Sequence, residues 1–221
     1  MIRFDALHSL IQPGLPLWDI GCDHGILGVR ALAENLVPVA HFIDESKAVT
    51  DRLAMQLRNE NPARYRIWHL KGEKLPWDEI EGSVVIAGVG NPTSRSVVSA
   101  ISVRNRERIR LIVSTEKNSD ELRVYLKESG WRLVPQSERV CRERSRFRLV
   151  FAAEYGKGEE LNAFGNEIFT GQMGREYLNH LLQLWRSSKI NVTKWPERFE
   201  DLLALETLHG GTQCSRSTDP R

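Results

Sequence analysis

The stretch Asp19-Ile20-Gly21-Cys22-Asp23-His24-Gly25 gathers two carboxylates and a histidine around two glycines, directly behind the apolar pair Leu17-Trp18. An apolar run that ends in a carboxylate, then a polar turn bracketed by glycines, then a helical pattern from Ile26 reads as strand, tight loop and helix start. Glycine lacks a Cβ, so it permits positive φ and close backbone approach to a ligand. Turns of this kind, at the carboxyl end of a parallel strand, are where doubly wound sheets hold cofactors. The spacing selects the kind of cofactor. A dinucleotide fingerprint is Gly-x-Gly-x-x-Gly against a pyrophosphate. Here three residues separate Gly21 from Gly25, and Asp23 between them would repel a pyrophosphate. Asp19, just before the turn, suits a ligand with a cationic amino group and no phosphate, which is the character of S-adenosylmethionine. The bland alternative is an ordinary strand-to-helix turn with incidental glycines.

Further positions fit a nucleoside-bearing ligand. Asp44, with Glu45 beside it, closes a second apolar run, Val37–Asp44. A carboxylate at the end of the second strand can accept hydrogen bonds from both ribose hydroxyls, or it can cap the next helix in competition with Ser46. Gly72-Glu73 follows a third apolar run, and Glu73 could take an adenine amino group or remain a solvated charge. Ser83–Pro92 runs from a buried apolar strand into Ala87-Gly88-Val89-Gly90, whose small residues leave room for reacting groups or satisfy a turn.

The elements that must position these residues follow from periodicity. A lead-in helix over 2–12 precedes strands at 15–20, 37–44, 65–70, 83–92 and 108–114, with helices at 26–35, 48–61, 94–102 and 119–129 between or after them. Trp131–Val140 and Arg146–Ala153 are read as two final strands forming an antiparallel edge pair. The alternation predicts an α/β fold, a Rossmann-like, mostly parallel sheet with helices on both faces and an antiparallel edge hairpin. The expected organisation is a cofactor-binding sheet domain over 1–156 and a helical hairpin region over 157–209. The helices in that region run from Gly171 to Lys189 and from Pro196 to His209. An apolar-poor tail over 210–221 is expected to be disordered.

The 221 residues suffice for one such domain with a small addition. A formal net charge of +2 means that any nucleic-acid site must come from local clustering. Cys22, Cys141 and Cys214 are scattered, which implies neither a disulfide framework nor a zinc site. With no signal-like N-terminus and no membrane-length apolar run, a cytoplasmic setting, no membrane partner and no metal are expected.

At Asp19-Ile20-Gly21-Cys22-Asp23-His24-Gly25 and Ile86-Ala87-Gly88-Val89-Gly90 together, the chain resembles the TrmK family of bacterial class I methyltransferases. That family modifies adenine N1 at position 22 of tRNA, and its motifs look like Asp-Ile-Gly-Ser-Asp-His and Ile-Ala-Gly-Met-Gly-Gly. Leu111-Ile112-Val113, Leu122 to Trp131, Arg148-Leu149-Val150 and Gly171–Trp185 add to the resemblance, which covers most of residues 15–189. Three departures stand out. Asn91 replaces a second glycine, Ser114–Asn118 replaces a Gln-Pro-Asn-like segment, and the C-terminal helical region is short.

The resemblance implies S-adenosylmethionine as cofactor, held by Asp19, Gly21, Cys22, Gly25, Asp44, Glu45, Gly72, Glu73, Ala87, Gly88 and Gly90, and tRNA as partner of a monomer or weak dimer. Its family counterpart makes Asp23 the candidate catalytic carboxylate, next to the cationic ring that methylation of adenine creates; capping the next helix is the alternative. His24 would contact substrate, orient Asp23 or simply pack. Basic residues that could meet the cost of extruding a base from folded RNA are Arg142, Arg144, Arg146 and Arg148, with Asn91 beside the motif. A second cluster is Arg104, Arg106, Arg108 and Arg110, and either cluster could be a solvated surface. The alternative functions are methylation of another RNA or a small molecule, or a catalytically inactive binding protein of the same fold.

Overall fold

The computed structural model describes residues 3–115, 119–143, 145–187 and 196–209. The chain divides into two compact units, Met1–Ala163 and Phe164–Arg221.

The first unit is built on one mixed sheet. Its strands are β1 (Leu17–Ile20), β2 (Ala40–Asp44), β3 (Tyr65–His69), β4 (Gly82–Ala87), β5 (Ile109–Thr115), β6 (Trp131–Leu133), β7 (Arg139–Glu143) and β8 (Arg146–Tyr155). The order is β3-β2-β1-β4-β5-β8-β6, with β7 also paired to β8. The first five strands run parallel and β8 runs antiparallel to β5. All four residues of β1 and the first five of β4 are buried, as expected for central strands covered on both faces. Leu17, Ala40, Phe42, Val85 and Ile112 belong to one apolar cluster with Ala6 and Leu7 of α1 (Arg3–His8), Leu27 and Ala31 of α2 (Ile26–Ala33) and Leu53 of α3 (Lys47–Gln56). Two more helices belong to this unit, α4 (Asn91–Ala100) and α5 (Ser119–Glu128).

Register decides what meets at the carboxyl edge. Ile20 pairs with Ile43 on one side and Ile86 on the other. Gly21, Asp44 and Ala87 therefore emerge side by side at the strand ends. Because β8 is antiparallel, its beginning reaches the same edge, where Leu149 pairs with Thr115 at the end of β5.

Two sequence expectations change. The single strand over 131–140 is broken: β6 and β7 share one edge of β8, and residues 134–138 bulge out between them. Pro135 lacks the N–H a ladder needs, and Gln136 has a φ of 56°. The bulge carries Glu138 inward to a buried ion pair with Arg123 of α5, whose guanidinium stacks 4.8 Å from the Phe151 ring. The domain boundary also moves from residue 156 to Ala163. Leu133 and Glu159 exchange backbone hydrogen bonds of 2.8 and 2.9 Å, and the Asn162 carbonyl accepts from Arg123 Nε, so 157–163 stays with the sheet.

The second unit contains α6 (Gly171–Ser187) and α7 (Pro196–His209). Trp185 of α6 meets Phe164 edge-on at 5.4 Å and stacks on Phe199 of α7 at 6.3 Å, and Arg186 pairs with Glu206 at 2.8 Å. The tail expected over 210–221 lies outside the described residues. Among the described residues, no helix is long and apolar enough to cross a membrane.

Candidate functional site

The loop after β1 is fixed by its backbone. Gly21 has a φ of 68°, and the N–H groups of Gly21 and Cys22 both donate to the Ile43 carbonyl of β2, at 2.8 and 3.2 Å. The Gly25 N–H then closes a turn on the Cys22 carbonyl at 2.8 Å. A Cβ on Gly21 would stand 2.6 Å from Val89 Cγ1, so the turn after β4 presses directly on this loop. Glycine is required at position 21 both for its φ and for that approach. Asp23 also adopts a positive φ, 46°, which is uncommon for a residue with a side chain.

Asp44 ties the loop to β2. Its Oδ2 accepts the Asp23 N–H at 3.3 Å, and its Oδ1 accepts the Ser46 N–H at 2.9 Å. At α2, Gly25 and not Asp23 takes the N-cap position. The Asp23 carboxylate is thereby left out of capping. It is largely exposed, 3.6 Å from His24 Nε2 and 3.5 Å from Arg52 Nη2 of α3.

Two cavities meet at Gly21. The first, about 370 Å³, is lined by Asp44, Glu45, Gly72, Glu73, Val89 and Pro92 among others. The second, about 300 Å³, is lined by Asp19, Cys22, Asp23, His24, Ala87 and Gly88, together with Arg3, Glu143 and Arg148. The chemistry of the two differs. The first has carboxylates beside a glycine backbone, a lining for a ribose and a base. The second has a carboxylate buried at its base. Burial, reinforced by the charge of Asp44, pushes Asp19 up to about 7 despite a hydrogen bond from the Gly28 backbone. A buried carboxylate held that high gains most from a cationic partner, because the partner's charge offsets the lost hydration. Burial also pushes the Cys22 thiol up, so it lines the cavity as a neutral group.

Most positions read from the sequence thus converge on one carboxyl edge. Gly25 sits below the loop, where a Cβ would meet Leu53 at 2.5 Å. Gly90 and Asn91 lie further on, Gly90 as N-cap of α4 and Asn91 as its first residue, and neither lines either cavity. The arginines of the edge hairpin do not form one face. Arg142 pairs in register with Phe147, whereas Glu143 pairs with Arg146 and Cys141 with Arg148, so Arg142 points away from Arg146 and Arg148. Arg142 and Arg146 are exposed, Arg148 is buried in the second cavity, and Arg144 lies outside the described residues. In the other cluster Arg108 pairs with Glu81, Arg110 with Glu154, and Arg106 stacks over Tyr155. Sequence reasoning missed Arg3, Arg52 and Glu143. Each lies at least 18 residues from Gly21 along the chain, so only the fold brings them to it.

Residues 1–151 match the family model described as a methyltransferase domain. Among curated proteins, none matches the chain. Three solved structures share its fold at low identity. TrmK of M. capricolum bound to S-adenosyl-homocysteine is 15% identical with a TM-score of 0.76, over 95% of this chain and 97% of that one. The Streptococcus pneumoniae protein Sp1610 in complex with S-adenosyl-L-methionine is 17% identical with a TM-score of 0.72, over 93% and 99%. The B. subtilis m1A22 tRNA methyltransferase TrmK is 16% identical with a TM-score of 0.66, over 94% and 96%. At these identities the likeness is one of fold. The family match spans the whole parallel sheet together with Asp19, Asp23 and Asp44, and the chain belongs to the methyltransferase domain family.

Proposed function

We propose that this chain is an S-adenosylmethionine-dependent methyltransferase that acts on N1 of an adenine in tRNA. The observation that carries the reading is the pair of cavities joined at Gly21, with a buried carboxylate in one and the β2-end carboxylate in the other. The donor's parts fit this division: a nucleoside toward Asp44 and Glu73, and an amino-acid end toward Asp19. When bound, S-adenosylmethionine supplies a methyl group on a cationic sulfonium.

The chain's residues have separable tasks. Asp19 binds the donor's ammonium. Asp44 accepts hydrogen bonds from ribose hydroxyls while holding the loop through the Asp23 N–H. Ala87 and Gly88, without bulky side chains, leave the acceptor room to approach. Adenine N1 already carries a lone pair, so attack needs alignment more than a base. The ring turns cationic as it is methylated. Asp23, exposed at the mouth of the second cavity, offsets that charge and accepts a proton from the adenine amino group. His24 and Arg52 flank Asp23 and orient its carboxylate. The tRNA acceptor is supported by fold similarity to the two TrmK proteins along more than nine-tenths of either chain.

The test is methyl transfer from labelled donor to unmodified tRNA by the full chain, with the product nucleoside identified by mass spectrometry. N1-methyladenosine is expected, and Asp23→Asn should lower the rate by roughly a hundredfold or more with donor affinity kept. Donor binding without any methylated tRNA would remove the acceptor assignment alone. An undiminished rate in Asp23→Asn would remove the role given to that carboxylate.

A further inference from the structure

One cation beside the second cavity lines neither cavity and has no task in holding the donor. Arg52 of α3 reaches the Asp23 carboxylate from outside, with Nη2 3.5 Å from Oδ1. His24 stands on the other oxygen, with Nε2 3.6 Å from Oδ2. Asp51, the carboxylate next to Arg52 on α3, is taken by Lys47 at 2.7 Å, so among the described residues Asp23 is the acidic partner of Arg52. Leu53 brings α3 to this place: it is buried and lies 2.5 Å from where a Gly25 Cβ would stand. Arg52 is left at the surface beside the loop, and both members of the pair are open to water, 44% exposed for Arg52 and 68% for Asp23. Ile26, at the same mouth, and Met55, one turn along α3 from Arg52, add exposed apolar surface that a large acceptor would cover.

The pairing conflicts with the task of Asp23 in methyl transfer. Its carboxylate has to offset the positive charge that the adenine ring acquires. While the guanidinium sits on Oδ1, that negative charge is already matched, and a like charge stands close enough to oppose the cationic ring. The contact is also easily given up. At 3.5 Å it is longer than a tight charge-assisted hydrogen bond, and water screens an exposed pair. Nor does Asp23 depend on it for its place: Asp44 Oδ2 holds the Asp23 N–H, and His24 stays on Oδ2 of the carboxylate. A polynucleotide brings phosphates to the mouth together with its base, and a phosphate suits the planar fork of a guanidinium.

We propose that Arg52 exchanges partners: it holds Asp23 Oδ1 while no acceptor is bound and takes a backbone phosphate of the tRNA when the adenine enters. This deepens the acceptor reading above and rests on it. The exchange couples docking to chemistry, because the movement that makes the RNA contact also frees Oδ1 to face the ring. Arg52 is thereby a positioning residue for the acceptor, and it sits on α3, apart from the arginines of the edge hairpin.

The experiment measures binding of unmodified tRNA to the full chain over a series of salt concentrations, with S-adenosyl-homocysteine present so that nothing turns over. Arg52→Met should weaken binding by about tenfold at low salt and make the salt slope shallower by about one phosphate contact. Arg52→Lys should keep the slope and regain part of the affinity, and Arg52→Gln gives the same readout as Arg52→Met should that variant fail to fold. Asp23→Asn removes the competing partner, so it should tighten tRNA binding by about threefold, and that gain should vanish when Arg52→Met is added. Unchanged affinity and slope in Arg52→Met, even with slower methyl transfer, would reduce Arg52 to a support for Asp23 and overturn the exchange. A gain from Asp23→Asn that persists in the Arg52→Met background would also overturn it, since the carboxylate would then act on the RNA directly. Both results leave the acceptor reading standing as long as the unaltered protein methylates tRNA. Failure of the unaltered protein to bind tRNA would overturn both.

Discussion

At the scale of single residues, Asp19 is the group whose environment is most demanding. Its side chain is buried, and burial together with Asp44 holds it at about 7, well above an ordinary carboxylate. A carboxyl group whose folded value is raised binds its proton more tightly in the native state. The resulting penalty is absent at acid pH and grows as pH rises from about 4 to about 7. Asp19→Asn should therefore melt at a higher temperature than the parent at pH 8 without ligand, and the gap should close near pH 4. The same proton reports binding. A donor ammonium favours the ionised form, so donor affinity in the parent should increase with pH up to about 7. At pH 6, binding should release a proton, visible as a dependence of the binding enthalpy on buffer; Asp19→Asn should show no release. An ammonium bound elsewhere would leave proton release unaffected by the substitution.

At the scale of elements, the bulge between β6 and β7 is what locks α5 onto the sheet. It turns Glu138 inward to Arg123, and the two side chains are essentially excluded from water. Breaking such a pair leaves a buried charge unpaired, so Arg123→Met should cost on the order of 3–5 kcal/mol in chemical denaturation. Arg123→Met combined with Glu138→Leu should recover most of that loss, since an apolar pair needs no counter-charge. If the double variant is no better than the single one, the pair does not act as a unit. This element also marks where the sequence stops being legible. The Gly21 loop, β1, β2 and β4 could be read because buried parallel strands are continuous apolar runs with turns at their ends. The break at Pro135-Gln136 was hidden because residues 131–140 retain strand-like composition on both sides of it. The site divides the same way. Asp19, Asp23 and Asp44 follow strand ends in the chain, so their roles were within reach of spacing. Glu143 and Arg148 meet through the antiparallel register of β7 and β8, and Arg3 through the packing of α1 against those strands, neither of which a local pattern encodes.

At the scale of the molecule, donor chemistry and acceptor recognition place different demands on the two units. Every residue assigned to the donor lies within Met1–Ala163, which contains the whole sheet, the apolar cluster beneath it and both cavities. The segment just before the boundary is pinned to the sheet by the Leu133–Glu159 backbone pair, so a cut after Ala163 severs no strand. A folded RNA is far larger than a cavity of about 300 Å³, and with a formal net charge of +2 the chain has little bulk attraction for phosphate. Acceptor docking therefore calls on surface beyond the cavities, and among the described residues the α6–α7 unit is what lies outside the sheet unit. A fragment ending at Ala163 is expected to bind S-adenosyl-homocysteine within about threefold of the full chain, as less than 1 kcal/mol of contact is removed from the donor. Its methyl transfer to tRNA should fall by at least tenfold, chiefly through a higher KM. Retained tRNA methylation with an unchanged KM would locate all RNA recognition in the sheet unit, and loss of donor binding in a folded fragment would show that the second unit completes the donor site.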